Sequence, residues 1–225
     1  CGYGNEISTM TPEYFQFTSE NENAYNAWGA VAARMLNAEY MSVAYSGRGI
    51  YRNWADDPGL TIPEIYDLVL PDEANSPIWN VSRYIPDITV INLGTNDMSE
   101  GAKDIADIKR HYKNAFEDFL TVLRSHYPQT AFIIAVGPML SDIYPDGYNA
   151  LTDTIAALTT IIELRKQTGD DLLYLLQLEE QSPPWGEDWH PTTSVHYRMA
   201  EELVHFIDDN DILSKVKGSL SNGDF

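Results

Sequence analysis

Ile88-Thr89-Val90-Ile91-Asn92-Leu93, followed at once by Gly94-Thr95-Asn96-Asp97, decides how this chain folds. A short β-rich run without polar alternation reads as a strand buried on both faces, the kind found in parallel sheets. The polar turn sits at its carboxyl end. The pattern recurs at Ala131–Val136, closed by Gly137-Pro138, and at Leu172–Leu178. Helices fill the gaps. Lys103–His126 places Ile105, Ile108, Tyr112, Phe116, Phe119 and Leu123 on one stripe, with Pro128 beyond its end. Asn149–Thr168 is a second helix with Gly169 as its C-cap. Thr192–Asp209 is a last, amphipathic one. Upstream, Asn23–Ala38 carries helical spacing through Ala24, Ala27, Trp28, Val31, Met35 and Leu36. Tyr40–Tyr45 reads as a short strand ended by Ser46-Gly47-Arg48-Gly49. Trp54–Ser82 is loop-rich, with room for a helix at Ile62–Leu70. Strands alternating with helices predict an α/β fold with a parallel sheet, whose sites lie outside the strands' carboxyl ends.

The 225 residues are 44% hydrophobic, ordinary for one globular domain. Fourteen basic against 34 acidic residues give a net charge of −20. Such a surface repels phosphate backbones and anionic membranes, so nucleic acid and membrane are excluded as partners. A neutral polymer or a small molecule fits better. No apolar run reaches the ~20 residues of a membrane-spanning helix. One cysteine allows neither an internal disulfide nor a multi-cysteine zinc site. The five histidines are scattered without metal-binding spacing. His111 and His126 fall on the Lys103–His126 helix, at its surface, and His196 and His205 fall on the last helix.

Three polar clusters lie at strand ends or in the loops after them. In Gly186-Glu187-Asp188-Trp189-His190-Pro191, a loop histidine with acids two and three residues before it suits a general base whose tautomer an acid fixes. The alternative is an exposed histidine with helix-starting acids. In Gly94-Thr95-Asn96-Asp97, a carboxamide at a strand end can donate to a developing oxyanion, or simply make a turn. In Ser46-Gly47-Arg48-Gly49, two glycines let a substrate approach backbone N–H groups, or make a tight turn. Ser46 lacks a nucleophile-elbow motif. Trp185 and Trp189 bracket the acids, and Tyr51 and Trp54 follow the glycine loop. These rings either stack on sugars or are partly buried.

Together and in this order, the clusters resemble the blocks of the SGNH (GDSL-type) hydrolase superfamily. Finer features are similar to carbohydrate esterase family 2, the acetyl-xylan esterases. They are Leu36-Asn37-Ala38-Glu39-Tyr40, Ala44-Tyr45-Ser46-Gly47-Arg48-Gly49 with Arg52-Asn53, the segment Val90–Asp97, and Asp188-Trp189-His190-Pro191. The resemblance implies a three-layer α/β/α fold with a mostly parallel central sheet. It implies catalytic roles for His190 and Asp188, with Glu187 as the alternative acid, and an oxyanion hole from Asn96 and a backbone N–H of Gly49 or Gly47. Trp189, Trp185 and Tyr51 would bind substrate, an acetylated polysaccharide or oligosaccharide. No cofactor and no metal is implied, and the location is extracellular in a bacterium. One block is missing: Gly-Asp-Ser with the nucleophile, which in this family directly precedes a segment like Cys1-Gly2-Tyr3-Gly4-Asn5-Glu6. The expectation is that residues 1–225 form an esterase domain without its first strand. The nucleophilic serine and a β-sandwich domain are expected upstream. A glycan-binding module without turnover, an inactive relative and a lipase or lysophospholipase of the same superfamily are the competing readings.

Overall fold

The computed structural model describes residues 18–221. These divide into two compact units: one of residues 18–46, Gly137–Met139 and Gln177–Asp211, the other of Gly47–Val136, Leu140–Leu176 and residues 212–221.

The second unit holds the sheet. Strands β1 (Ile88–Ile91), β2 (Ala131–Val136) and β3 (Leu173–Gln177) lie in the order β1-β2-β3. β1 and β2 are parallel, with Ile88 opposite Ala131 and Ile91 opposite Ile134. All six residues of β2 are buried, as its unbroken Ala-Phe-Ile-Ile-Ala-Val run requires of a central strand. β1 departs from the sequence reading: Ile88–Val90 are half-buried and only Ile91 is enclosed. Among the described strands it lies at one end of the order.

Helix α3 (Ile105–His126) starts at Asp104, whose carboxylate accepts the Asp107 N–H, and buries Tyr112, Phe116, Phe119, Leu120 and Leu123. Each large side chain so enclosed contributes roughly 1.5–3 kcal/mol. α4 (Ala150–Gln167) packs against α3 and β2. Arg124 locks the end of α3. It pairs with both Asp170 carboxylate oxygens and donates to the carbonyls of Tyr127, Pro128 and Thr130. α2 is a single turn, Ile62–Ile65, shorter than the expected Ile62–Leu70, and Leu68 beyond it bridges to Ile78 instead. α6 (Ile212–Ser221) was not expected; Ile212 and Val216, four apart, bury one face of it.

In the first unit, α1 (Trp28–Met35) packs on α5 (Thr193–Asp209). α1 is shorter than the predicted Asn23–Ala38. Residues Ala24–Asn26 form a separate turn capped by Asn23, and Ala27 is extended. The predicted strand Tyr40–Tyr45 is not a strand among the described residues. Residues 40–44 are exposed, Met41 and Val43 included, and no ladder with described residues forms there.

His196, on the last helix as expected, turns inward. It shares the buried face of α5 with Met199, Leu203 and Ile207 and is 3% exposed. Ala27 offers α1 no capping side chain, and the Trp28 N–H donates instead to His196 Nδ1 at 3.3 Å. Burial, reinforced by the charge of His190, pushes the His196 imidazole down to about 4. An unfolded imidazole titrates near 6.5, so between those values the unfolded chain binds more protons. Stability conferred by neutral His196 is therefore complete above pH ~6.5 and lost as pH falls toward 4, by up to about 3 kcal/mol. Urea unfolding across that window should show His196→Gln flattening the acid slope of wild type. Parallel slopes would exclude His196 as its source.

Candidate active site

At the carboxyl end of β1, the chain turns through Gly94-Thr95-Asn96-Asp97 and meets the glycine loop. Asn96 Nδ2 donates to the Arg48 carbonyl at 2.9 Å, which uses one of its two hydrogens. Asp97 is fully buried. Its carboxylate accepts the N–H groups of Ile50, Tyr51 and Arg52, with contacts of 2.8–3.2 Å. Burial pushes this carboxyl up, and the backbone donors pull the other way. Arg52, 5% exposed, donates to the backbone carbonyls of Asp97, Ser99 and Glu100 and pairs with Asp56 at 2.5 Å. The two sequence motifs are thus one hydrogen-bonded body.

Glycine is needed at position 49. A Cβ there would stand 2.1 Å from the Arg52 carbonyl and 2.6 Å from Asp97 Oδ2. The Gly49 N–H itself donates to Asn53 Oδ1 at 3.1 Å, so it is already engaged. Gly47, at φ +74°, has no N–H partner among the described residues, while its carbonyl accepts the Trp54 N–H at 2.8 Å. Of the two glycines named from sequence, Gly47 has its donor available. Tyr51 is 41% exposed, and its ring stacks on His111 with centroids 4.8 Å apart.

In the first unit, Glu187–Trp189 forms a tight turn just before His190. Asp188 and Trp189 both take left-handed backbone angles, φ +53° and +56°, which cost a non-glycine residue roughly 1–3 kcal/mol each. The turn is closed by His190 N–H to Glu187 O at 3.0 Å and Gly186 N–H to His190 O at 2.9 Å. Thr192 then caps α5, its hydroxyl accepting the Val195 N–H. The half-buried His190 imidazole titrates below its ordinary value. Burial dominates, opposed by the Asp188 charge and by the backbone carbonyls of Asp188 and Glu187.

The two acids are distinct. Glu187 is 5% exposed, and its carboxylate accepts the Thr18 N–H at 2.7 Å, the Thr18 hydroxyl at 2.8 Å and the Asn21 amide. Burial raises this carboxyl, but these donors prevail and hold it below the usual carboxylate range. Asp188 is exposed, and its charge acts on His190. Glu187 is a structural anchor, and Asp188 is the acid that electrostatically favours imidazolium. Trp185 is half-buried and Trp189 is 45% exposed. Among the described residues no cluster of histidine, cysteine or acids could hold a metal, and no helix is long and apolar enough to cross a membrane.

Sequence reasoning assigned no role to Asp97, Arg52 and Asn53. All three are buried at 5% exposure or less, which their motifs alone do not display. A buried charge implies a set of donors to satisfy it.

A parallel sheet with a carboxamide-bearing turn bound to a glycine loop, and a histidine in an acid-flanked turn before a helix, define a protein of the SGNH/GDSL class. The chain belongs to the GDSL-like lipase/acylhydrolase family, whose sequence profile matches residues 1–203. It is 35% identical over 206 residues to the cellulase/esterase CelE of Acetivibrio thermocellus, covering 91% of this chain and 24% of that protein. It is 32% identical over 186 residues to an acetylxylan esterase / glucomannan deacetylase of Cellvibrio japonicus, covering 81% and 47%. Among solved structures it is similar to a family two carbohydrate esterase from Clostridium thermocellum in complex with cellohexaose. The TM-score is 0.82 at 32% identity, over 95% of this chain and 62% of that one. The chain spans a minority of the length of both curated relatives.

Proposed function

We propose that this chain is the site-bearing part of a carbohydrate O-deacetylase that hydrolyses acetyl esters on plant polysaccharide. The observation that carries the reading is the Asn96 carboxamide fixed on the Arg48 carbonyl at 2.9 Å, with one hydrogen left to donate. In this reading a serine, the nucleophile that the family resemblance implies, attacks the acetyl carbonyl while His190 takes its proton. The Asn96 amide and the Gly47 N–H stabilise the oxyanion. The bond to the sugar oxygen then breaks, and His190 returns the proton to that oxygen. Water, deprotonated by His190, releases acetate and restores the serine. Trp189, Trp185 and Tyr51 offer ring faces to the sugar. An acidic surface suits a neutral glycan, and the protein acts outside a bacterial cell.

The test is acetate release by the full-length protein from acetylated xylan, alongside 4-nitrophenyl esters of acetate and octanoate. Release from xylan with preference for acetate supports the reading. Preference for octanoate identifies a lipase-like enzyme, and glycan binding without hydrolysis identifies a binding module.

The acids give a separate prediction. Asp188→Asn keeps the backbone carbonyl beside the imidazole and removes only an exposed charge. It is expected to lower kcat by about tenfold, far short of the ~10⁴ typical of a buried triad acid. It should also move the acid limb of kcat/KM to lower pH, because the charge it removes raises the His190 pKa. Glu187→Gln should leave that limb in place and reduce stability, since a buried acceptor for Thr18 and Asn21 is weakened. The reverse pattern in pH–rate profiles would make Glu187 the partner of His190.

A further inference from the structure

Gln181 has no part in the chemistry described so far, yet it is bonded to the residue immediately before His190. Its side-chain Nε2 donates to the Trp189 carbonyl at 2.7 Å, and its backbone N–H donates to the Pro138 carbonyl at 3.1 Å. The residues before it are tied to α5. Arg198 donates to the carbonyls of Glu179 and Glu180 at 3.3 and 3.4 Å, and the Glu179 N–H donates to the Glu202 carboxylate at 3.0 Å. Segment 179–181 is therefore a fixed support, and the Gln181 amide reaches from it into the histidine turn.

That turn needs such a support. Two successive non-glycine residues, Asp188 and Trp189, sit in left-handed angles, a conformation that persists only where the surroundings over-determine it. The hydrogen bonds of Gly186 and His190 close the turn on itself without fixing its orientation. Glu187 anchors its first residue through Thr18 and Asn21. Trp189 is the last residue of the turn, and its carbonyl belongs to the peptide unit whose nitrogen is that of His190. A donor on this oxygen sets the peptide plane from which the imidazole projects.

We infer that Gln181 is a positioning residue: by holding the Trp189 carbonyl it aims the His190 imidazole. The inference rests on His190 being the base proposed above. Positioning matters steeply, since a displacement of ~1 Å at a catalytic group can cost ~10²-fold in rate.

The experiment uses the full-length protein with two near-isosteric substitutions, Gln181→Glu and Gln181→Met. Both keep the side chain's length and remove the donor. Each should lower kcat on 4-nitrophenyl acetate by roughly tenfold with KM unchanged, and thermal unfolding should confirm that the variant is folded. The second readout does not need activity: the NMR titration of the His190 ring, assigned by its loss in His190→Ala, should shift in both variants. A shifted titration in a protein that hydrolyses no ester would keep the positioning role and reject the esterase reading. Folded variants with wild-type kcat and an unmoved titration would overturn the inference, and so would losses confined to KM. If Gln181→Glu does not fold, Gln181→Met decides by the same criteria; if Gln181→Met does not fold, Gln181→Glu decides by kcat against KM alone, because its added charge shifts the titration by itself.

Discussion

His190→Ala is expected to cut kcat for acetyl ester hydrolysis by at least ~10³-fold while leaving the protein folded. A serine hydroxyl is a weak nucleophile at neutral pH, and a positioned base typically supplies ~10²–10⁴ of the rate. No other described residue is proposed to replace it. The turn around it is closed by His190 N–H to Glu187 O and Gly186 N–H to His190 O and tied down by the Glu187 carboxylate and the Gln181 amide, and alanine keeps all of these. Circular dichroism and thermal unfolding should therefore match wild type. The pH dependence supplies a second check. Wild-type kcat/KM should fall on acidification as the imidazole takes up a proton. Burial holds that pKa below the ordinary histidine value, so activity should extend to more acidic pH than a free imidazole would allow. The residual rate of the alanine variant should lack this acid limb. A variant retaining a tenth of wild-type kcat would remove His190 from the reaction.

The parts legible in the sequence were those set by local patterns. The runs at Ala131–Val136 and Leu173–Leu176 have the continuous apolar character that a covered strand needs, and α3 and α5 announce themselves by stripes and caps. What failed depended on neighbours distant in sequence. Tyr40–Tyr45 has strand composition, but a strand exists only with a ladder partner. His196 falls on an amphipathic helix, and only the packing of α1 on α5 reveals it as buried. The site shows the same division. His190, Asn96 and the glycine loop could be named because their motifs are contiguous. The tie from Asp97 to residues 50–52 spans more than forty positions, and no local pattern encodes it. Glu187 and Asp188 are adjacent with the same functional group. Their separation into anchor and electrostatic partner follows from the left-handed turn, which sends consecutive side chains different ways.

Asn96→Ala is expected to lower kcat by ~10²–10³ with KM close to wild type. An oxyanion donor meets full charge only in the transition state, so its loss appears in kcat and leaves ground-state binding nearly untouched. At ~3–4 kcal/mol, the interaction is worth more than the single neutral hydrogen bond to the Arg48 carbonyl that the substitution also breaks. The glycine loop should stay in place because its main tie is the Asp97 carboxylate, which accepts three backbone N–H groups and is untouched. A control separates the two functions of the asparagine. Asn96→Asp keeps the size and loses both amide donors, placing an acceptor opposite the Arg48 carbonyl. It should be at least as impaired in kcat as alanine, since a carboxylate near the reacting carbonyl opposes negative charge there. If Asn96→Ala raises KM and spares kcat, Asn96 binds substrate in the ground state. If unfolding shows that both variants have lost most of their stability, its amide serves the loop alone. Either outcome would leave the Gly47 N–H as the one oxyanion donor in the proposed mechanism, with correspondingly less transition-state stabilisation from residues of this chain.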